Sequence, residues 1–122
     1  MTWIAVALGG ALGSLARHGV NVAFSRVTET TTPYATATVN VVGALVIGVL
    51  AGLTAAGKLH LSPNVRAFVF VGILGGFTTF SSFMLDTLTL GHGSEHGLAV
   101  SNVLLQIVLG CVAVFAGYAA AR

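Results

Sequence analysis

Between Gly75 and Asp86 the chain reads GGFTTFSSFMLD, flanked by the apolar runs VRAFVFVGIL and TLTL. Two glycines, four hydroxyls and three phenylalanines stand together there. A packed core has no use for the hydroxyls, and a surface loop has none for the rings. Gly75 and Gly76 can break or strain a helix. A break frees main-chain carbonyls and amides, which at membrane depth must be buried in protein or line a cavity. Broken helices recurrently build ion sites, with carbonyls for cations and amide donors for anions. Phe80 and Phe83 are three apart and share a face if the helix resumes. An aromatic ring has a positive edge and a negative face. Two ring edges, the hydroxyls of Ser81 and Ser82 and an amide would therefore favour a small anion without any full positive charge. A single phenylalanine reads more simply as packing; the hydroxyls beside a double glycine do not.

Asn40 offers a suitable amide, with two donor hydrogens and an acceptor oxygen. It shares a helix face with Thr36, four residues earlier, and Thr38 lies between them. It reads equally as structural glue between helices and as part of an ion path. Other chemistries are thinly represented. His18, His60, His92 and His96 lie near span ends or in linkers, and too few ligands accompany them for a zinc site. No nucleophile and base stand at a catalytic spacing, so an enzyme is not indicated. Asp86 is the only acid within a span and lies towards its end, whereas a proton-coupled exporter keeps a carboxylate at depth. A single cysteine, Cys111, rules out an intrachain disulfide and a cysteine metal cage.

The elements that must position these groups follow from composition. The 122 residues are 56% hydrophobic and 7% charged, with net charge +2. Mean hydropathy is +0.97. Soluble domains carry roughly 25% charged residues, so five Lys/Arg and three Asp/Glu cannot coat a water-soluble fold. No basic cluster exists to grip nucleic acid. The apolar material falls into four runs near 3–24, 34–56, 65–90 and 98–121, each about the length of a membrane helix. Together they make a single four-helix transmembrane domain over residues 1–122. The first run lacks a basic leader and a cleavage signal, so it reads as a retained helix. No period-2 alternation suggests a barrel. The linkers SRVTETTTP, GKLHLSPN and GHGSEHG are short, which makes neighbours antiparallel and puts both termini on one side.

Gly9–Gly13, Gly48–Gly52 and Gly72–Gly76 are each Gly-xxx-Gly, a spacing that lets helices approach closely within a chain or between chains. Lys58, Arg66 and Arg122 lie on the termini side, against Arg26 and the nearby Arg17 on the other. That bias is too slight to fix orientation by the positive-inside rule. Insertion both ways, and an antiparallel dimer, are compatible with it.

The run GGFTTFSSF, with GGALGSLARHG in the first span and TATVNVVG in the second, resembles the Fluc/CrcB family of fluoride channels. The resemblance covers all four spans. It implies an all-α membrane protein with a broken third helix, assembled as an antiparallel dual-topology homodimer in the bacterial inner membrane. It also implies passive export of fluoride through two pores, and a structural Na⁺ at the dimer interface. On this chain the sodium would be held by the carbonyls of Gly75 and Thr78. Fluoride would pass Asn40, Phe80, Phe83, Ser81 and Ser82, and Arg17 would stand near an anion-attracting vestibule. Met84 departs from a common serine, Asp86 from a glutamate, and Gln106 and Gly110 stand where pore-facing Ser or Thr are common. Two other readings fit a chain of this size: a small dual-topology exporter of organic cations, and a non-conducting partner subunit of a heterodimer.

Overall fold

The computed structural model describes residues 1–29 and 33–122. Of the threonine-rich first linker, Thr30, Thr31 and Thr32 lie outside the described residues. The regular structure among the described residues is all helical, with no strand among them. In chain order the helices are α1 (Thr2–Ser25), α2 (Tyr34–Ala55), α3 (residues 63–77), α4 (Phe80–His92) and α5 (His96–Ala121).

The ends follow local chemistry. Gly57 takes φ +70°, and the amides of Gly57 and Lys58 close back on the carbonyls of Thr54 and Leu53. This left-handed cap ends α2 and suits glycine, which lacks the Cβ that disfavours the conformation. Ser62 caps α3 by accepting the Val65 amide, and Pro63 follows at the first helical position, where its missing N–H costs nothing. Thr2 Oγ1 donates to Asn64 Oδ1 at 3.0 Å, and Lys58 Nζ donates to the Ala121 carbonyl at 3.4 Å. Both chain termini therefore lie at the end of the molecule that carries the 56–62 linker.

Among the described residues, three stretches are long and apolar enough to cross a membrane: Tyr34–Ala55, Pro63–His92 and His96–Ala121. α1 has comparable length at 24 residues. Its second half carries Ser14, Arg17, His18 and Asn21, a spacing that puts all four on one helical face. That face borders a cavity, in which Arg17 is half-buried while Ser14, His18 and Asn21 stay exposed.

α3 is not uniform. Pro63–Arg66 is α-helical, Ala67–Leu74 is wound as a π-helix, and Gly75–Phe77 returns to α. Thr78 (φ −80°, ψ 158°) and Thr79 (φ −150°, ψ 120°) are extended before α4 restarts at Phe80. The extended residues are thus the threonines and not the glycines to which the sequence pointed. Gly75 keeps helical angles of −63° and −35°. Gly76 serves close packing: a Cβ there would stand 2.7 Å from the Gly10 carbonyl oxygen. The threonines suit the interruption. Thr78 Oγ1 donates to the Leu74 carbonyl at 3.0 Å, and Thr79 Oγ1 caps α4 by accepting the Ser82 amide at 3.1 Å.

Two glycine seams hold the helices together. Gly9 and Gly13 of α1 meet the backbone of Phe68, Gly72 and Ile73 of α3, and Gly72 and Gly76 meet α1 in return. Gly48 and Gly52 of α2 lie against Val114 and Tyr118 of α5, and Gly117 reciprocates against Leu45 and Val49. All three Gly-xxx-Gly pairs pack within the chain. In lipid, helices associate through such contacts and not through hydrophobic burial. The buried apolar set is accordingly small (Ala35, Val39, Ala67, Leu74, Phe83 and Ala99), while leucines and valines face outward. Gly13→Val is expected to destabilise the α1–α3 seam by about 1–3 kcal/mol, because the clash is with Ile73 backbone that cannot rotate away. Thermal unfolding in mild detergent checks it; an unchanged midpoint refutes the seam.

Candidate functional site

The interruption between α3 and α4 organises the site. In a continuous helix the Thr79 N–H would bond the Gly75 carbonyl. Here it donates instead to Asn40 Oδ1 at 2.8 Å, and Asn40 Nδ2 donates back to the Thr79 carbonyl at 3.0 Å. The α2 side-chain amide thus pairs both main-chain groups of one extended residue, as an adjacent strand would. The pairing meets the requirement that buried backbone polar groups find partners. Thr79 itself is 7% exposed.

Asn40 Nδ2 donates its second hydrogen to Gln106 Oε1 on α5 at 2.9 Å. Gln106 Nε2 donates to Asn102 Oδ1 at 2.9 Å, and Asn102 Nδ2 donates to Thr87 Oγ1 at 3.0 Å. Thr87 Oγ1 in turn donates to the Phe83 carbonyl at 2.9 Å. Asn102 and Gln106 are both buried. Asn102 did not figure among the sequence candidates, and Gln106 figured only as a departure. Their i, i+4 spacing in an apolar run was the available signal.

Two cavities meet at Thr79, which lines both. The larger, about 470 Å³, is bordered by Asn40, Gly75, Thr78, Phe80, Phe83 and Gln106. The rings of Phe80 and Phe83 lie edge to face, with centroids 5.9 Å apart and planes at 82°. Phe83 is 6% exposed, whereas Phe80 is 74% exposed at the cavity rim. The smaller cavity, about 270 Å³, is mostly polar: Ser14, Arg17, His18, Asn21, Thr36 and Ser82 border it beside Thr79. Arg17 Nη1 reaches the Thr78 carbonyl at 3.4 Å. The fixed charge therefore stands on the far side of Thr79 from the rings.

The sequence candidates divide between these spaces. Asn40, Gly75, Thr78, Phe80 and Phe83 gather at the larger cavity, and Arg17 and Ser82 at the smaller. Ser81 borders neither; it is exposed, with its hydroxyl 3.5 Å from Thr79 Oγ1. Met84 is exposed as well. Asp86 is 6% exposed, with Oδ2 without a hydrogen-bond partner among the described residues.

Fold and site together define an all-helical membrane protein with paired polar and aromatic cavities meeting at an interruption in the helix path. The family model described as "CrcB-like protein, Camphor Resistance (CrcB)" matches residues 4–118. The chain belongs to the CrcB family. A protein named "Fluoride-specific ion channel FluC" from Paracoccus denitrificans (strain Pd 1222) is 48% identical over 122 residues, covering 99% of this chain and 94% of that protein. Another of that name from Rhodopseudomonas palustris (strain BisB5) is 44% identical, covering 100% of this chain and 98% of that protein. One from Opitutus terrae (strain DSM 11246 / JCM 15787 / PB90-1) is 45% identical over 120 residues, covering 98% and 91%.

Proposed function

We propose that the protein is a fluoride-selective channel that releases cytoplasmic fluoride passively across the bacterial inner membrane. The observation that carries this reading is the edge-to-face pair Phe80–Phe83, set at a cavity beside the Asn40–Thr79 pairing, in a chain whose relatives bear the name of fluoride channels. Fluoride is small and strongly hydrated, so it needs replacement donors when its water is stripped. Ring edges supply partial positive charge, and the Ser82 hydroxyl supplies a hydrogen. None of these groups carries a full charge that would trap the ion. Ser81 stands beside Thr79 and extends the hydroxyl track. Chloride, being larger, would be excluded by width.

Arg17 would concentrate anions in the polar cavity before they reach Thr79, by the field-focusing effect of charge in a cleft. Arg17→Gln is expected to slow fluoride efflux several-fold at low ionic strength, with the difference shrinking as salt screens the charge. Efflux at two salt concentrations checks it; equal rates at both would remove Arg17 from the path.

The assembly we infer is an antiparallel homodimer with two pores. Phe80, 74% exposed on the single chain, would be covered by the second copy. A structural Na⁺ fits the same region. The Gly75 carbonyl has lost its helical donor to Asn40, and hard cations take neutral oxygen ligands. The Thr78 carbonyl has two lone pairs and, among the described residues, accepts a 3.4 Å contact from Arg17. These oxygens, repeated by a second copy, would hold the ion. When bound, sodium supplies fixed positive charge beside the anion path. Fluoride-electrode measurement of efflux from vesicles containing the purified chain tests the function. Release by this chain alone also excludes a purely auxiliary subunit of a heterodimer, and transport that required a proton gradient would favour the organic-cation exporter.

A further inference from the structure

We infer that Gln106 and Asn102 are positioning residues that hold the Asn40 amide in place against the Thr79 backbone, by engaging its second Nδ2 hydrogen through a one-way hydrogen-bond ladder. The inference rests on the channel reading. An asparagine amide can be flipped by half a turn, exchanging donor for acceptor, and the surrounding network decides which way it points. At Asn40 the network leaves no choice. Thr79 N–H can only donate, so Oδ1 must face it. Nδ2 then has two hydrogens to place, one on the Thr79 carbonyl and one on Gln106 Oε1.

Gln106 faces the same constraint from the other side. Its Oε1 points at Asn40 because its Nε2 is committed to Asn102 Oδ1. Asn102 is held in turn because its Nδ2 donates to Thr87 Oγ1, whose hydrogen goes to the Phe83 carbonyl. That carbonyl can only accept. Every hydrogen therefore points from Asn40 towards Phe83. The polarity is fixed at one end by the main chain of Thr79 and at the other by the main chain of Phe83. Residues on α5 thus tie the interruption to the backbone that carries one ring of the aromatic pair. Replacing either amide by an apolar side chain breaks the ladder while Asn40, Thr79 and the rings themselves are kept.

A serial ladder predicts a distinctive double-variant result. Gln106→Leu and Asn102→Leu each remove two rungs of the ladder, one of them shared, and each is expected to lower fluoride efflux about tenfold, the effect of one hydrogen bond's worth of misplacement at Asn40. The double variant should be no slower than Gln106→Leu alone, since Asn102 reaches Asn40 only through Gln106. In an ¹⁵N-labelled sample the Asn40 side-chain NH₂ signals should shift, and exchange faster with solvent, in both single variants. Two independent lining residues would instead multiply to about a hundredfold in the double variant, which overturns the inference. So does Gln106→Leu running at the parental rate. If Gln106→Leu does not fold, Asn102→Leu decides on the NH₂ signals: a changed pair supports the ladder and an unchanged pair overturns it. A parent that releases no fluoride defeats the channel reading, and the NH₂ signals then judge the ladder by themselves.

Discussion

Phe80→Ile should cut fluoride efflux from reconstituted vesicles by about a hundredfold, the cost of removing one polarised partner from a desolvated ion, while leaving the folded chain intact. The two halves of that statement have separate grounds. Within one chain Phe80 is 74% exposed, so shortening its side chain opens little space inside the four-helix fold and removes packing only from the contact with the second copy. Isoleucine matches it in apolarity but has no ring, and so no positive edge. Phe83→Ile removes the other ring of the pair and should slow efflux as strongly. Phe83 is 6% exposed, however, so its loss also disturbs packing within the chain, and its melting temperature should fall further than that of Phe80→Ile. The comparison therefore separates conduction from stability within one aromatic pair. If Phe80→Ile conducts like the parent, the rings serve packing alone and the ring-edge mechanism is wrong.

How much could be read in advance depends on whether a residue's role is local. Helix ends were legible because the groups that make them are neighbours in sequence. Gly57 in its left-handed cap, Ser62 and Pro63 at the start of α3, and the Gly-Ser turn after His92 act within a few residues and fall inside the linkers GKLHLSPN and GHGSEHG that bounded the apolar runs. The polar content of the 75–86 stretch also announced itself against its apolar flanks. What the glycines do there was harder. Gly75 and Gly76 permit a break, but permission is not a cause. In lipid a glycine also answers the need for close approach, and Gly76 is used against Gly10. The interruption falls instead where threonine hydroxyls can close both helix ends.

Other features depend on partners far along the chain. Nothing in AFVFVGIL distinguishes a π-helix from an α-helix, since the wider winding of Ala67–Leu74 is not encoded by apolar composition. The NVLLQ spacing of Asn102 and Gln106 was visible, but that their amides close onto Asn40 of α2 required knowing that α2 packs on α5. The weaker hydropathy of α1 has the same origin. Its polar residues look misplaced along the sequence and become reasonable once a cavity faces them.

Asn40 carries the second large effect, because its side chain pairs both main-chain groups of Thr79. Asn40→Leu leaves the Thr79 N–H, the Thr79 carbonyl and Gln106 Oε1 without their partner. Each buried polar group so stranded costs about 1–3 kcal/mol, and together they approach the whole stability of a typical domain, about 5–15 kcal/mol. The leucine variant is expected to lose the sharp monodisperse peak and the cooperative melt of the parent in mild detergent, and to conduct no fluoride. Asn40→Asp provides the contrast. Its carboxyl keeps an acceptor for the Thr79 N–H and, when protonated, returns a hydrogen to the Thr79 carbonyl. Aspartate should therefore preserve the fold that leucine destroys, whatever it does to anion passage. Leucine and aspartate variants with the same melting temperature as the parent would show that the Thr79 backbone does not depend on Asn40. The interruption would then have to be held by packing alone, and the amide would be free to act on the ion instead.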